Sequence, residues 1–229
     1  MIESIYLESK RKCFRRYNKK GTDMGISIQN ISKSYDEKTV LQNFSLELRD
    51  GGIYCLMGPS GVGKTTLLRI LMGLEQADCG DRTFDAEENA RSEKIESSIQ
   101  GLQISTVFQE NRLLDFADAV KNIRFVDGKQ GLLFQPEEIL EHLLDRNDWH
   151  RPVRELSGGM QRRVAIGRAL AARSDLLLMD EPFTGLDEGT KERVIQTVLK
   201  YRGGRTLLVV THQEEDARLL GAEIAYMKA

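Results

Sequence analysis

The sequence predicts an α/β fold with a buried parallel sheet. Three stretches carry this expectation. The apolar run Ile53-Tyr54-Cys55-Leu56-Met57 reads as a buried strand. It leads into Gly58-Pro59-Ser60-Gly61-Val62-Gly63-Lys64-Thr65-Thr66, which fits the phosphate-binding pattern G-x-x-x-x-G-K-[ST]. Leu176-Leu177-Leu178-Met179 is a second run, ending in the carboxylates Asp180 and Glu181. Thr206-Leu207-Leu208-Val209-Val210-Thr211 is a third, ending in His212. Unbroken apolar runs that stop at polar residues suit strands covered on both faces, with a site at their C-terminal ends.

Length and composition set the frame. The chain has 229 residues, enough for one large domain or two lobes. With 30% charged and 40% hydrophobic residues it suits a soluble globular protein. No apolar run approaches the roughly 20 residues that a membrane helix needs. The start Met1-Ile2-Glu3-Ser4 lacks a basic region followed by an apolar core, so no secretion signal is expected. Cys13, Cys55 and Cys79 are too few and too scattered for a disulfide framework or a metal site, which fits a reducing cytoplasm.

The formal charge of −2 is unevenly spread. Residues 1–23 hold seven basic side chains against three acidic ones, a net of +4 that leaves −6 on the rest. The body therefore shows no basic excess that would argue for nucleic acid. Residues 1–23 read as a disordered basic extension. A membrane-surface or nucleic-acid arm, or a native start at Met24, are the alternatives.

From Gly25 a two-residue alternation begins. Ile26, Ile28 and either Asn30 or Ile31 form one set, and Phe44, Leu46 and Leu48 another, as in antiparallel strands with one buried face. Tyr35 lies between them, placed to stack on a base or simply to pack at the surface. In the loop that follows, glycines let the backbone curl so that several N–H groups face one anion. Lys64 would bridge the β- and γ-phosphates and Thr65 would hold Mg²⁺. The helix begun by Thr66-Leu67-Leu68 would point its N-terminus at the phosphates. The competing reading is a Gly-rich turn with a solvated lysine.

After Gly73 and Gly80 the stretch 81–101 is charged and weakly patterned, read as a solvated helix or loop. Ile104-Ser105-Thr106-Val107-Phe108 predicts a strand, with Gln109 at its end able to reach a Mg²⁺ or an attacking water. Residues 112–150 read as helical. Pro136-Glu137-Glu138 makes a helix start, and Ile139, Leu140, Leu143 and Leu144 form an apolar stripe. Ser157-Gly158-Gly159 predicts a helix cap and a second anion site before Met160. Asp180 would hold the Mg²⁺ through water, and Glu181 would polarise the attacking water. His212 could contact a γ-phosphate from the same sheet edge. Ala222 to Met227 predicts a closing strand.

From Met24 to Ala229 this set of motifs resembles an ABC-type ATPase, the nucleotide-binding subunit of an ABC transporter. The resemblance implies a P-loop NTPase (RecA-like) core with an antiparallel β subdomain and an inserted α-helical subdomain at about 110–165. Tyr35 is similar to the family's adenine-stacking aromatic, with Val40 beside it. Gly58 to Thr66 resembles the Walker A loop, and Gln109 the Q-loop glutamine. Leu156 to Gln161 resembles the signature sequence, with Met160 where many members carry glutamine. Leu176 to Glu181 corresponds to Walker B, Thr184-Gly185-Leu186-Asp187 to the D-loop, and His212 to the switch histidine. ATP and Mg²⁺ are the implied cofactors, with Thr65, Gln109 and Asp180 at the metal and Lys64, Gln109, Glu181 and His212 in the chemistry. Tyr35, Val40, the Walker A residues, Ser157 to Met160 and Asp187 would contact nucleotide.

The same resemblance implies a head-to-tail pair of cassettes, two copies of this chain or this chain with a homologue. ATP would lie between Walker A of one and Ser157-Gly158-Gly159 of the other. The implied partner is a separate transmembrane permease at the cytoplasmic face of the membrane, with a substrate-binding protein beyond it, and no nucleic acid is expected. Val107 to Leu114 together with Leu156 to Met160 is similar to bacterial importers of the nitrate, sulfonate and taurine type. Asp115-Phe116 stands where those often have Pro-Trp. The competing functions are an exporter or lipoprotein-release ATPase, a soluble ABC ATPase of DNA maintenance or translation, and a nucleotide sensor without turnover.

Overall fold

In a computed structural model of the chain, the residues described are 25–36, 38–84, 102–128 and 131–228. The readings for residues 1–23 and for 85–101 lie outside them. The strands are β1 (Gly25–Tyr35), β2 (Lys38–Arg49), β3 (Ile53–Met57), β4 (Cys79–Phe84), β5 (Ile104–Val107), β6 (Leu176–Asp180), β7 (Thr206–Val210) and β8 (Glu223–Tyr226). The helices are α1 (Lys64–Leu71), α2 (Ala119–Arg124), α3 (Pro136–Leu143), α4 (Gly158–Ala171), α5 (Glu188–Tyr201) and α6 (Glu214–Leu220).

The central sheet has five strands in the order β5-β6-β7-β3-β8, and every neighbouring pair is parallel. Each strand of β6 and β7 is buried at all five positions. The reason is the alternation of side chains across the sheet. Leu177, Met179, Leu207 and Val209 face one core, shared with the buried residues of α2 to α6. Leu176, Leu178, Leu208 and Val210 face the other, shared with Leu67, Leu68, Ile70 and Leu71 of α1 and with Ile26, Ile28 and Leu48 of the second sheet. With apolar layers on both sides, each such side chain contributes about 1.5–3 kcal/mol of burial. That explains why these strands read as unbroken apolar runs.

The second sheet is antiparallel, in the order β2-β1-β4. Ile26 pairs with Leu48, Ile28 with Leu46 and Ile31 with Phe44. Between Ile28 and Ile31 the register slips at a bulge, where Asn30 takes φ 53° and leaves Ile31, not Asn30, in the core. A matching slip on β2 has Asn43 at φ 48°. Residues 81–84 correct the expectation of a solvated helix or loop, because they complete β4 beside β1. The strand was hard to see because Gly80 and Asp81 interrupt any apolar pattern. Gly80 is needed there, since its φ is +99° and a Cβ would meet the Asn30 carbonyl oxygen at 2.5 Å.

Residues 112–150 are less helical than expected. Among the described residues of this stretch, the helical elements are α2, α3 and a 3-10 turn at Arg146–Asp148. Asp118 caps α2 by accepting from the Lys121 N–H at 2.7 Å. Pro136, Glu137 and Glu138 open α3 as the sequence suggested, and Ile139, Leu140 and Leu143 are its buried face. The intervening chain is held by side chains instead of a helix ladder: Asn122, fully buried, bonds the Leu114 N–H and three carbonyls.

One buried cation ties two helix ends to β7. Arg205 is 2% exposed, and its guanidinium donates to Leu170 O (2.9 Å), Ala172 O (2.8 Å) and Tyr201 O (2.8 Å). These carbonyls close α4 and α5, where the helix dipole favours a positive charge. Burial pushes the Arg205 pKa down to about 9, still above neutral pH, so the cation persists. Replacing it orphans buried carbonyls at both ends. Arg205→Leu is expected to lower unfolding stability by about 3 kcal/mol or more in a urea titration; a loss within about 0.5 kcal/mol, the range of an ordinary surface change, would show that the staple is not needed.

Candidate active site

The site grows from strand order. β5, β6, β7 and β3 are consecutive neighbours and all parallel, so their C-terminal ends lie along one edge. Gln109 follows β5, Asp180 ends β6 and Glu181 follows it, His212 follows β7, and the Gly58–Gly63 loop follows β3. Motifs far apart in sequence thus meet because hydrophobic strands pair.

The loop needs glycine at three places, the first being Gly58, where a Cβ would meet the Met227 carbonyl oxygen at 2.5 Å. Gly61 has φ +79° and Gly63 has φ +105°. A Cβ at Gly63 would also meet Val40 O at 2.8 Å and Leu41 Cδ2 at 2.7 Å. Val40 is therefore set against the end of the loop. Gly63 is the N-cap of α1 and supplies no side-chain cap, so the first N–H groups of this helix are left for an outside anion. Lys64 arches back across the loop, and its Nζ donates to Gly58 O at 2.7 Å and Pro59 O at 2.8 Å. Tyr35, at the end of β1, is 41% exposed and reaches Thr66 and Glu75. Its hydrogen bond to Glu75 holds the phenol above its ordinary pKa, while Thr66 acts the other way.

Behind the loop, the Thr65 hydroxyl donates to Asp180 Oδ2 at 3.3 Å. Asp180 is 6% exposed. Burial lifts its pKa above the ordinary carboxylate value, and the Glu181 charge adds to this; the Thr65 bond, Lys64 and Arg162 oppose it. A buried carboxylate whose charge is under-compensated, next to a hydroxyl oxygen, is a donor set that fits a hard divalent cation such as Mg²⁺. Among the described residues no cluster of three His, Cys, Asp or Glu side chains forms a metal site. A metal held by one carboxylate and one hydroxyl would need further ligands from a bound molecule, which is how Mg²⁺ is usually held on phosphates.

Glu181 meets His212 directly. His212 Nδ1 lies 3.0 Å from Glu181 Oε1 and 2.9 Å from Oε2, and Thr184 Oγ1 donates to Oε2 at 3.0 Å. The Glu181 N–H still donates to Val210 O at 2.9 Å, extending the β6–β7 ladder by one bond. Its φ of 50° then turns the chain out of the strand. A non-glycine residue held there costs of order 1 kcal/mol, and such strain gathers at working sites. The carboxylate is fixed by a histidine and a hydroxyl, yet stays about a fifth exposed. It can accept a proton or orient a water.

The remaining predicted residues form a second group. Ser157 caps α4 by accepting from the Met160 N–H at 3.3 Å. A Cβ on Gly158 would meet nothing within 4 Å, so nothing in this chain's packing excludes a side chain there. A Cβ on Gly159 would lie 3.4 Å from Leu186 Cδ2, placing this turn against the Thr184–Asp187 loop. Asp187 caps α5 through the Thr190 N–H at 3.0 Å, and that bond holds its carboxyl below the usual value. Among the described residues no hydrogen bond or ion pair joins either segment to the phosphate loop.

Arg162 was not singled out from the sequence. Its guanidinium donates to Phe108 O at 2.6 Å and to Gln109 O, pinning the Gln109 backbone to α4. Burial lowers its pKa, while the Asp180 and Glu181 charges favour its cation. Six residues on, Arg168 holds the carbonyls of Arg112 (2.8 Å) and Asn111 (3.3 Å). Arginines following a Gly-Gly helix start were the available signal, but their targets are backbone atoms and leave no pattern. A cleft of about 500 Å³ between α3 and α5, with Arg163, Arg193 and Lys200 among its walls, includes none of the predicted site residues.

Comparison with known proteins points the same way. Residues 41–184 match the family model described as ABC transporter. The sulfate/thiosulfate import ATP-binding protein CysA of Xylella fastidiosa is 36% identical over 216 residues, covering 89% of this chain and 60% of that protein. The taurine import ATP-binding protein TauB of Roseobacter denitrificans is 34% identical, covering 89% and 77%. The spermidine/putrescine import ATP-binding protein PotA of Clostridioides difficile is 36% identical, covering 88% and 59%. The chain thus spans about three-fifths of the length of the CysA and PotA relatives. Among solved structures, the dimeric bacterial ABC transporter cassette MJ0796 superposes with a TM-score of 0.71 at 31% identity, covering 89% of this chain and 94% of that one. The same cassette bound to ADP and Pi, described as a post-hydrolysis state, gives 0.73 at 30%.

Asp180 yields a stability test that needs no nucleotide. Its folded pKa is raised, so its ionised form costs stability at neutral pH, and the cost fades as pH falls through that raised value. Asp180→Asn is expected to stabilise the ligand-free protein by about 1 kcal/mol at pH 7, the usual scale for removing a functional charge. The gain should shrink on acidification toward the carboxylate range. A variant less stable than wild type at pH 7, measured by thermal unfolding without Mg²⁺, would contradict it.

Proposed function

The chain belongs to the ABC transporter family, and from that premise we propose that it is an ATP-binding and ATP-hydrolysing subunit that drives a membrane importer of small solutes. The observation that carries the chemistry is the Glu181–His212 contact on the sheet edge that also bears the phosphate loop and Asp180. ATP is the substrate, with its phosphates on the Gly58–Thr66 backbone and the N-terminus of α1. Lys64 exchanges its two carbonyl partners for phosphate oxygens. Tyr35 and Val40 flank the base and sugar end.

Thr65 and Asp180, with Gln109, hold Mg²⁺, whose charge when bound offsets that of the phosphates. Glu181 orients the attacking water and accepts its proton. His212 keeps that carboxylate aimed and lies within reach of the γ-phosphate. Ser157, Gly158, Gly159, Met160 and Asp187 serve a second cassette. The open space over Gly158 suits the approach of another chain's nucleotide, and the uncrowded helix start provides the donors.

None of the described helices is long and apolar enough to cross a membrane, and the partner in this reading is a transmembrane permease. It docks at the cytoplasmic face, on the surface after Gln109 where Leu114 and Phe116 are exposed. Domain limits follow the same reading, with the helical subdomain at about 110–165 inserted in a cassette that begins near residue 24. Relatives named for sulfate and for spermidine import are equally identical to this chain, at 36%, although one solute is a dianion and the other a polycation. Solute choice therefore lies with the permease side, and the nitrate, sulfonate or taurine class stays the specific proposal for this chain.

Two variants test the chemistry. Glu181→Gln should lower turnover by at least about a hundredfold while ATP still binds. Lys64→Ala should abolish ATP binding measured by calorimetry. Turnover unchanged in the first, or affinity unchanged in the second, would remove the roles given to these residues.

A further inference from the structure

His212 sits between two residues that are anchored from behind. Thr211 is 2% exposed, and its hydroxyl donates to Asp216 Oδ2 at 2.6 Å. The Gln213 N–H donates back to Thr211 Oγ1 at 3.1 Å. Asp216, 3% exposed, faces the Lys191 ammonium of α5 at 3.2 Å from Oδ1, and Lys191 also donates to Gln213 Oε1. Oδ1 has no in-line hydrogen-bond donor, so the Lys191 charge is what balances it. Lys191 itself stands in the first turn of α5, and its N–H donates to Asp187 O at 2.8 Å.

A buried ion pair adds little net stability, because desolvation cancels most of the attraction. What this one does supply is a fixed geometry. It joins the first turn of α5, capped by Asp187, to both residues that flank His212.

We infer that Lys191 and Asp216 are positioning residues that set His212, and through it Glu181, from the start of α5. This rests on the proposed hydrolytic role of Glu181 and His212. Any displacement of Asp187 on contact with a second cassette passes through one helical turn and one ion pair to the switch histidine.

The test compares wild type with Lys191→Met, Lys191→Arg and the double variant Lys191→Met/Asp216→Asn, which leaves no unpaired buried charge. ATP turnover and thermal unfolding are measured on the full chain. Lys191→Met is expected to lower kcat about tenfold or more, the scale of a misplaced catalytic group, with KM within about twofold. Lys191→Arg should recover most of it. If Lys191→Met does not fold, the double variant is read instead, and it should melt near wild type with the same loss of kcat. A folded double variant with wild-type kcat would overturn the inference. The His212 ring ¹⁵N resonances, assigned by a His212→Gln variant, separate this from the ATPase reading. If wild type shows no turnover, that reading has failed, and the resonances decide the network alone: moved by Lys191→Met and restored by Lys191→Arg supports it, unmoved refutes it.

Discussion

Four parallel strand ends along one edge are the constraint on which this structure depends. Inside the sheet, β6 and β7 are buried at every position, and Leu176 to Met179 and Leu207 to Val210 are apolar on both faces. At their ends the chain turns polar within a single residue, from Met179 to Asp180 and from Val210 through Thr211 to His212. Backbone pairing of the strands fixes those ends to within a residue, so the carboxylates and the histidine are placed by hydrophobic register. Glu181 shows the strain this entails. It keeps one ladder bond to Val210 O and then turns at φ 50° to meet His212.

Electrostatics follow from the same edge. Asp180, Glu181, Lys64 and Arg162 act on one another across the site, and burial is the largest influence on Asp180. A carboxylate whose charge is opposed by its own burial gains from a nearby cation. Arg205 solves the opposite problem at the far end of the sheet, where helix carbonyls hold a buried cation in place of a carboxylate. One end of the parallel sheet is thus built for stability and the other for ligand.

Most of the fold was legible because both of its periodicities are strong. Unbroken apolar runs marked β3, β6 and β7, and alternation marked β1 and β2. The phosphate loop, Asp180, Glu181 and His212 were found because each stands at the end of such a run. What stayed hidden has a physical reason in each case. The bulge at Asn30 shifts the register without changing composition, so Asn30 and Ile31 could not be told apart. β4 is an edge strand of mixed polarity whose pairing is set by β1. Residues 112–150 have helical composition but are held largely by Asn122 and by turns. Arg162 works on backbone carbonyls, and the Lys191–Asp216 pair spans 25 positions, so neither leaves a local signature.

Among the described residues no hydrogen bond or ion pair joins the phosphate loop to the Ser157 turn, and the proposed site is complete only when two chains share it. The most direct measurement mixes two variants, Lys64→Ala, which disables the loop, and Ser157→Arg, which blocks the turn of α4. Neither should turn over ATP alone. In a mixed pair, one shared site keeps an intact loop and an intact turn, so mixing should restore turnover. If wild type is active and the variants exchange partners, yet the mixture stays inactive, the site is not shared between chains.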